Sequence, residues 1–276
     1  MGNRQDGYTV NPFPKARHVY VDTLYLGQRK HTVHGLIEVD VTKARRFIRE
    51  HKVRTGETLS FTAFVLTCLG KAVDANRIVH AYRNWRNQLV LFDEVDVTTM
   101  FEIEVEGTKL PLAHVIKAAN RRSFRDIHDE IRGLQAERKR DTSMPYGRLV
   151  ALYPLVPAFI RRFLYRVLLR SPHVMKEHIG TVILTAVGMF GQGSGWAITH
   201  PIHTLGIALG GIGQKPVVVD GQMEVREYLS VTLSFDHDII DGGPAARFTQ
   251  QLKELVEAGY GLIEDGAATQ ATEPLA

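Results

Sequence analysis

A histidine and an aspartate four positions apart, His237 and Asp241, are the side chains best suited to chemistry in this chain. They follow an apolar alternation over residues 228–235 that predicts a strand, and they precede Pro244 and an apolar helical spacing over residues 245–256. The pair therefore lies where a strand ends and a helix begins, a place from which side chains can be aimed into a cleft. A histidine that titrates near neutrality can take a proton from a thiol or a hydroxyl, which favours acyl transfer.

The composition is that of an ordinary globular protein. The chain has 276 residues, of which 44% are hydrophobic and 23% charged, enough for one large domain or two small ones. Its net charge of +4 is compatible with an anionic ligand, and we expect no nucleic-acid partner. The single cysteine, Cys68, lies in an apolar run and excludes an internal disulfide framework. With no secretion signal and no membrane span expected, we predict a cytoplasmic protein.

Strands should position the histidine and aspartate. Alternating apolar residues predict a hairpin whose turn is Asp220-Gly221 and whose second arm leads directly into the strand before His237. Pro111 argues that its own strand lies at a sheet edge or begins there. Other strands are predicted at residues 31–41, 89–92, 95–105, 110–116, 181–185, 205–209 and 217–219.

Four helices are predicted besides the one that follows Asp241. A short helix starts at Thr42 and ends at Gly56, and a second starts at a Ser60 cap and runs to about Ala75. A third covers residues 123–138, because Ser123 and Asp126 resemble a capping box. The fourth begins at Ala158, within an apolar and basic segment at residues 149–170.

The domain boundaries follow from these elements. We expect an N-terminal extension over residues 1–30, which mixes aromatic and basic residues without clear periodicity. One domain should cover residues 31–260. A flexible tail is expected over residues 261–276, where the residues become small and polar.

Several separated motifs carry a resemblance to a known family. Residues 236–242 read Asp-His-Asp-Ile-Ile-Asp-Gly, and residues 180–191 read Gly-Thr-Val-Ile-Leu-Thr-Ala-Val-Gly-Met-Phe-Gly. Lys-Pro-Val-Val at 215–218 and Glu-Val-Asp-Val-Thr at 38–42 add to them, as does the Leu59-Ser60 helix start. In this order, over roughly residues 31 to 257, the chain resembles the catalytic domain of the 2-oxoacid dehydrogenase acyltransferases (dihydrolipoamide acyltransferases), which is related in fold to chloramphenicol acetyltransferase.

The resemblance implies a fold and a mechanism. The fold would be an α/β (α+β two-layer), chloramphenicol-acetyltransferase-like mixed sheet flanked by helices, in a trimer or a multiple of trimers with active sites between subunits. His237 would deprotonate a coenzyme A or dihydrolipoyl thiol for attack on a thioester, so acyl-CoA would be a substrate. Thr185 would steady the oxyanion from the neighbouring subunit, and Asp241 would have a structural or orienting role.

The chain departs from the family pattern at several positions. Asp238 replaces the usual arginine after the histidine, so the charge network around His237 cannot be carried over from the family. Gly243 stands for a usual alanine, and Ala186 and His200 each stand for a frequent asparagine. No lipoyl or peripheral-subunit-binding domain precedes the catalytic region, so we expect no covalently bound lipoyl group on this chain. A separate lipoyl or acyl-carrier protein would then bring the acyl group.

Plainer interpretations stay open for each candidate residue. Asp241 could simply cap the following helix, with His237 a half-buried structural histidine, and Thr185 could be an ordinary strand threonine. The glycine-rich residues 188–195 lack a phosphate-binding pattern and favour a mobile turn lining the site. His200 and His203 have no carboxylate or cysteine partner at metal-binding spacing, so we expect no metal.

Relative to the family, the apolar and basic segment near 149–170 is an insertion in the catalytic domain of residues 31–260, and its role stays open. Its helix could pack on the core or on another subunit with the arginines reaching outward, or it could contact a membrane surface or an acyl chain. The protein could accordingly be a membrane-surface acyltransferase for lipid acyl groups. It could also be a non-catalytic oligomeric scaffold with the same fold, an alternative raised by Asp238 and the missing carrier domains. The residues that would grip coenzyme A cannot be identified from the sequence.

Overall fold

The structure is a computed structural model that describes residues 3–5, 7–11, 13–15, 17–105, 108–140, 152–188 and 193–263. Its centre is a six-stranded mixed sheet in the order β3-β10-β9-β8-β6-β7. The strands of this sheet are β3 (Thr32–Asp40), β6 (Val97–Val105), β7 (Thr108–Ile116), β8 (Val182–Ala186), β9 (Leu205–Val219) and β10 (Gln222–Asp236). Two small antiparallel pairs lie apart from it, β1 (Asn3–Gln5) with β2 (Tyr8–Val10) and β4 (Tyr82–Arg83) with β5 (Leu89–Val90).

The strand directions make the sheet mixed. β10 pairs antiparallel with both β3 and β9, and β6 pairs antiparallel with β7. β8 runs parallel to both of its neighbours, β6 and β9. This arrangement confirms the predicted mixed sheet flanked by helices, and it leaves β3 and β7 as the two edges. Pro111 lies on the edge strand β7, where a missing backbone N–H is tolerated.

Seven helices have been assigned in the described residues, and four of them pack on one face of the sheet. Those four are α2 (Thr42–Thr55), α3 (Phe61–Ala75), α4 (Phe124–Arg140) and α7 (Gly242–Ala258). The others are α1 (Arg17–Gly27), α5 (Ala158–Leu168) and α6 (Pro172–Ile179). Short 3-10 helices lie at Arg77–His80, Ala119–Arg121 and Tyr153–Leu155.

The helix-start and helix-stop signals read from the sequence are confirmed. The Ser60 hydroxyl accepts the backbone N–H of Ala63 at 3.2 Å and so caps α3. The Ser123 hydroxyl accepts the N–H of Asp126 at 3.2 Å, and the Asp126 carboxylate accepts the N–H of Ser123 at 3.1 Å, a reciprocal capping box. Gly56 ends α2 with φ of 78°, a left-handed conformation that favours glycine.

Three expectations about the elements differ from the structure. Residues 17–27 form α1 although their sequence shows no clear periodicity, because the helix faces another helix rather than the main core. The strands predicted at 205–209 and 217–219 are one strand, β9, since all of its residues except Gly210 and Gly211 pair with residues of β10. The strand predicted at 89–92 has only two residues, Leu89–Val90. The predicted tail lies outside the described residues from 264 onward.

The core lies between the sheet and the four helices. Alternate residues of β10 point into it, namely Leu229, Val231, Leu233 and Phe235. They meet α7 through Phe248 and the other helices through a continuous apolar cluster. Burial of this apolar surface stabilises the sheet against the helices.

Between Leu229 and Phe235, the alternate residues of β10 face away from the helices and are small and polar. Ser230, Thr232 and Ser234 are all fully buried, although they lie outside the apolar cluster. Residues 193–204 approach this face, where the N–H of Gly195 donates to the Ser230 hydroxyl at 3.3 Å. A Cβ at Gly210 would collide with the carbonyl oxygen of Gly195, so only glycine allows this approach.

Two buried histidines lie close to the start of β8. His80 contacts the Thr181 hydroxyl at 3.0 Å, and the Nε2 N–H of His203 donates to the Ile179 carbonyl at 2.8 Å. Each ring has a second nitrogen with no hydrogen-bond partner, within the part of the chain that the structure describes. Burial disfavours the charged imidazole and lowers the pKa of both His80 and His203 from an ordinary 6.5 to about 4.

Because of these two histidines, we expect the folded protein to lose stability as the pH falls from 6.5 to about 4. The unfolded chain binds protons near pH 6.5 whereas the folded chain does not until about pH 4, so the free energy of unfolding must fall as the pH drops between those values. Each histidine should cost roughly 2 kcal/mol by pH 5. Urea unfolding at pH 7.5 and pH 5 would measure the difference, which His80→Gln or His203→Gln should each reduce.

The matched control is His178→Gln, because His178 is exposed. This variant should keep the pH dependence of the unmodified protein. If neither buried-histidine variant alters the difference in unfolding free energy between the two pH values, the acid sensitivity has another origin.

Candidate functional site

The turn that carries His237 is held by the residue before it. The carbonyl oxygen of Asp236 accepts the backbone N–H groups of Ile239 and Ile240, each at 3.0 Å. The Asp236 carboxylate accepts the N–H of Asp238 at 3.2 Å, so its side chain closes the same turn. Ile240 is fully buried and anchors the far end of the turn in the core. The backbone of residues 236–240 is therefore rigidly positioned.

A nearly buried ion pair fixes Asp236 in turn. The Lys30 ammonium lies 2.7 Å from the Asp236 carboxylate, whose side chain is 7% exposed. The same ammonium donates to the carbonyl oxygen of His203 at 3.3 Å. Lys30 thus ties the segment before β3 to the end of β10 and to the segment before β9.

His237 continues the pairing of the two strands by one residue. Its backbone N–H donates to the carbonyl oxygen of His31 at 2.8 Å. Its side chain is exposed, and within the described residues the imidazole forms no hydrogen bond and no ion pair. Within a single chain, His237 is therefore neither half-buried nor held by a side-chain hydrogen bond to a described residue. The ring is free to contact a ligand or another subunit.

Asp238, the main departure from the family motif, is directed to a different histidine. Its carboxylate lies 2.8 Å from Nδ1 of His31 and 4.0 Å from the Arg83 guanidinium. The hydrogen bond to Asp238, with the attraction of its charge, raises the pKa of His31 above its ordinary value. The hydrogen bond from His31 likewise lowers the pKa of Asp238. Asp238 acts in a surface network with His31 and Arg83.

Asp241 stands at the start of α7. It occupies the N-cap position with an extended backbone, but its side chain makes no capping hydrogen bond. The carboxylate is exposed, one helical turn in sequence from His237. Asp241 therefore occupies the cap position of α7 but does not form the side-chain hydrogen bond by which a cap stabilises a helix.

Thr185 lies on the second face of the sheet, away from the helices. Its neighbours in β8, Val182 and Leu184, point into the apolar core, which places Thr185 on the opposite face with Ile183. Thr185 is half-buried, and its hydroxyl makes no hydrogen bond with any described residue. It pairs with Ala208 on β9, which pairs with Thr232 on β10.

This register separates Thr185 from His237 within one chain. Thr185 is two strands away from Thr232, and His237 lies five residues beyond Thr232 along β10. At about 4.8 Å per strand and about 3.3 Å per residue, the two Cα positions are roughly 19 Å apart. The sheet therefore does not bring the two predicted catalytic residues together in a single subunit. One reacting group can contact both only if they come from different chains.

Several polar side chains near the end of β10, where His237 follows, were not predicted from the sequence. His34 Nδ1 lies 2.9 Å from the Ser234 hydroxyl, and its ring meets that of His200 edge to face with centroids 6.2 Å apart. Burial and then the nearby His200 lower the pKa of His34. Lys30 and His31 were not predicted either. They meet Asp236 and Asp238, more than 200 residues away in sequence, only because β3 pairs with β10. A faint signal was available in the clustering of Lys30, His31 and His34 at the start of a predicted strand.

The described residues contain no group of three histidine, cysteine or acidic side chains that could hold a metal ion. His203 is committed to the Ile179 carbonyl, and His200 contacts another histidine.

Comparison with known proteins confirms the resemblance drawn from the motifs. Residues 170–263 match a family model described as 2-oxoacid dehydrogenases acyltransferase (catalytic domain), a range that includes Thr185, His237 and Asp241. A stretch of 86 residues is 36% identical to the human dihydrolipoyllysine-residue succinyltransferase component of the mitochondrial 2-oxoglutarate dehydrogenase complex. That alignment covers 31% of this chain and 19% of the human protein. The corresponding protein of Rickettsia bellii is 24% identical over 230 residues, 82% of this chain and 49% of its own length.

Solved structures share the fold at low sequence identity. A probable dihydrolipoamide acetyltransferase from Listeria monocytogenes has a TM-score of 0.68 at 20% identity, covering 92% of this chain and 96% of its own. The cubic core of a pyruvate dehydrogenase multienzyme complex gives a TM-score of 0.64 at 16% identity, with coverages of 92% and 93%. A chloramphenicol acetyltransferase gives 0.51 at 15% identity, with coverages of 89% and 96%. The fold of this chain is that of these acyltransferases.

The contact between Asp238 and His31 predicts a specific change in titration. Asp238→Asn should lower the pKa of His31, because the amide keeps a polar partner but removes the charge that favours the imidazolium. Histidine ring signals followed by NMR as a function of pH would measure it. Asp220→Asn, in the distant hairpin turn, is the control and should leave His31 unchanged. An unchanged His31 midpoint in Asp238→Asn would contradict the contact.

Proposed function

We propose that this chain, with its acyltransferase fold and family resemblance, is a coenzyme A-dependent acyltransferase that moves an acyl group from a thioester to a thiol acceptor. The observation that carries the proposal is the exposed imidazole of His237, which has no hydrogen-bond partner among the described residues and lies on a turn held by Asp236, Lys30 and the buried Ile240. A general base needs such freedom at the ring and such rigidity behind it.

The proposed reaction uses two side chains. Neutral His237 takes the proton of the acceptor thiol, and the thiolate attacks the carbonyl carbon of the thioester. The carbonyl oxygen becomes an oxyanion that accepts a hydrogen bond from the Thr185 hydroxyl. As the carbonyl re-forms, the bond to the original sulfur breaks, and that thiolate takes the proton back from the imidazolium. A free thiol has a pKa near 8.5 and is mostly protonated at neutral pH, so the base is needed.

The site is proposed to lie between two subunits. A separation of roughly 19 Å between His237 and Thr185 in one chain prevents joint action there, whereas neighbouring subunits can supply one residue each. A trimer, or a multiple of trimers, gives every His237 a neighbouring Thr185. The similarity to the cubic core of a pyruvate dehydrogenase complex supports this assembly as a proposal.

The substrates are proposed by class. Coenzyme A is the first thiol, and the second is a dihydrolipoyl group or a related thiol on a separate carrier protein. Relatives named as dihydrolipoyllysine-residue succinyltransferases and acetyltransferases support this pair of thiols without identifying the acyl group. Asp241 is assigned an orienting role beside His237, and the protein is proposed to act in the cytoplasm.

Substitution of the two reacting side chains should lower kcat. His237→Ala should reduce it about 10²–10⁴-fold because no other base replaces the ring. Thr185→Ala should reduce it about 10²–10³-fold, and Thr185→Ser should retain much of the activity because it keeps the hydroxyl. Acyl exchange between acetyl-CoA and dihydrolipoamide, with folding verified by circular dichroism, is the measurement. Full activity of His237→Ala would reject His237 as the base.

Mixing of inactive variants tests the two-subunit site. Trimers that assemble at random from equal amounts of His237→Ala and Thr185→Ala chains should contain about a quarter of intact sites, each built from the undamaged residues of two chains. Activity should therefore return on co-assembly. The control is the double variant mixed with His237→Ala chains, which should stay inactive.

The same assays address the scaffold alternative. A stable oligomer that fails to bind coenzyme A in calorimetry and has no exchange activity would favour a non-catalytic scaffold. Activity that does not return on co-assembly would instead place each complete site within one chain, contrary to the sheet register.

A further inference from the structure

Helix α5 presents its apolar side to solvent and its charged side to the protein. The exposed fractions of Phe159, Phe163 and Val167 are 74%, 64% and 53%, at positions four residues apart on one helical face. Ile160 and Leu164 widen this face, with exposed fractions of 38% and 58%. We define the α5 apolar face as these five residues. A helix that packs on a core turns its apolar side toward the protein and its charged side toward solvent.

A buried ion pair prevents α5 from turning its apolar face inward. Asp22 of α1 is fully buried and accepts hydrogen bonds from Arg161 at 2.8 Å and from Arg162 at 2.9 Å. Arg161 also donates to the Val156 carbonyl at 2.9 Å, and Tyr153 donates its hydroxyl to Asp22 at 3.0 Å. Removal of one partner of such a pair leaves an uncompensated buried charge. The outward apolar face is therefore a fixed feature of the fold.

The Asp22 carboxylate is held ionised by this network. Burial alone would raise the pKa of Asp22, but the hydrogen bonds from Arg161, Arg162 and Tyr153 outweigh burial and lower it. Arg162 also lies over the Tyr25 ring at 4.0 Å from its centroid. The inner side of α5 thus contacts α1 through charged hydrogen bonds and a cation–π contact.

The surroundings of the α5 apolar face are positively charged. Residues 142–176 contain no aspartate and no glutamate. Arg166 and Arg170 are exposed at the edge and the end of α5, and the exposed Arg17 begins α1. The nearest acid on α1, Asp22, is neutralised by its two arginines. An apolar face with a cationic rim suits an anionic surface.

We propose that the α5 apolar face binds the surface of an anionic phospholipid bilayer, with the helix lying in the plane of the headgroups. Its phenylalanine, leucine and isoleucine side chains enter the headgroup and acyl boundary, and Arg166 and Arg170 contact lipid phosphates. In a symmetric contact between two copies of this face, the arginines of the two copies would lie near each other, with no acidic side chain on this segment to pair with them. This inference does not rest on the proposed catalytic function.

The dimensions of α5 suit a helix that lies on a bilayer. Eleven residues give about 16 Å of helix, against about 30 Å for the hydrocarbon core. Among the helices that the structure describes, none is long and apolar enough to cross a membrane.

Vesicle sedimentation of the full chain tests the proposal. The protein should sediment with vesicles of phosphatidylcholine that contain phosphatidylglycerol at about three lipids in ten, and much less with phosphatidylcholine alone. Phe159→Ser combined with Phe163→Ser should weaken binding to the anionic vesicles more than tenfold. Arg166→Glu should weaken it several-fold, and added salt should weaken the binding of the unmodified protein.

Matched controls carry equivalent changes elsewhere. Trp85→Ser combined with Val53→Ser removes side chains with exposed fractions of 71% and 88%, and Arg54→Glu reverses an exposed charge on α2. These controls should bind vesicles like the unmodified protein.

Three results would overturn the proposal. One is that the unmodified protein does not sediment with the anionic vesicles. Another is that Phe159→Ser with Phe163→Ser binds them as well as the controls do. The third is a protein that ignores vesicles but changes its oligomeric mass, measured by light scattering, when the two phenylalanines are replaced, because the face would then be a contact between subunits.

Discussion

The pairing of β10 with β3 on one side and β9 on the other is the constraint on which the rest of the structure depends. From Leu229 to Phe235 the strand alternates between the apolar core and a small, polar face. A slip of one residue would move Leu233 and Phe235 out of the core and Ser234 into it, which the hydrophobic effect strongly disfavours. The end of β10, and with it His237, is therefore placed by the packing of the whole strand.

The turn after β10 converts this placement into a defined site. Asp236 closes the turn through its side chain and main chain, Lys30 holds Asp236, and Ile240 anchors the exit in the core. The His237 imidazole itself makes no hydrogen bond to any residue that the structure describes. Asp238, the residue that departs most from the family motif, is directed to His31 instead, so the substitution alters a surface network beside the site.

The second face of the sheet has a different role from the first. Glycine and small polar residues let residues 193–204 approach it closely, and the Thr185 hydroxyl on this face makes no hydrogen bond to a described residue. The strand register keeps Thr185 far from His237 in one chain, so the proposed reaction requires one of these residues from each of two chains. The orientation of α5 likewise depends on a tertiary contact, because the buried ion pair between Asp22 and Arg161 keeps its apolar side outward.

Local signals in the sequence determined the elements and the candidate residues. Caps at Ser60 and Ser123, the stop at Gly56 and the edge proline Pro111 act through neighbouring backbone groups, so their effect can be read from a few residues. The strand–turn–helix around His237 follows from the same local patterns, whereas the mixed, helix-flanked fold and the choice of Thr185 came from the family resemblance.

Only the tertiary structure decided which of these residues meet. The His31–Asp238 contact and the Lys30–Asp236 pair depend on the pairing of β3 with β10, two strands far apart in sequence. The helix α1 has no clear apolar stripe, because its central contact is the buried Asp22 rather than a hydrophobic core. Contacts of this kind depend on the pairing of remote strands and on the desolvation of paired charges, and neither leaves a periodic pattern in the sequence.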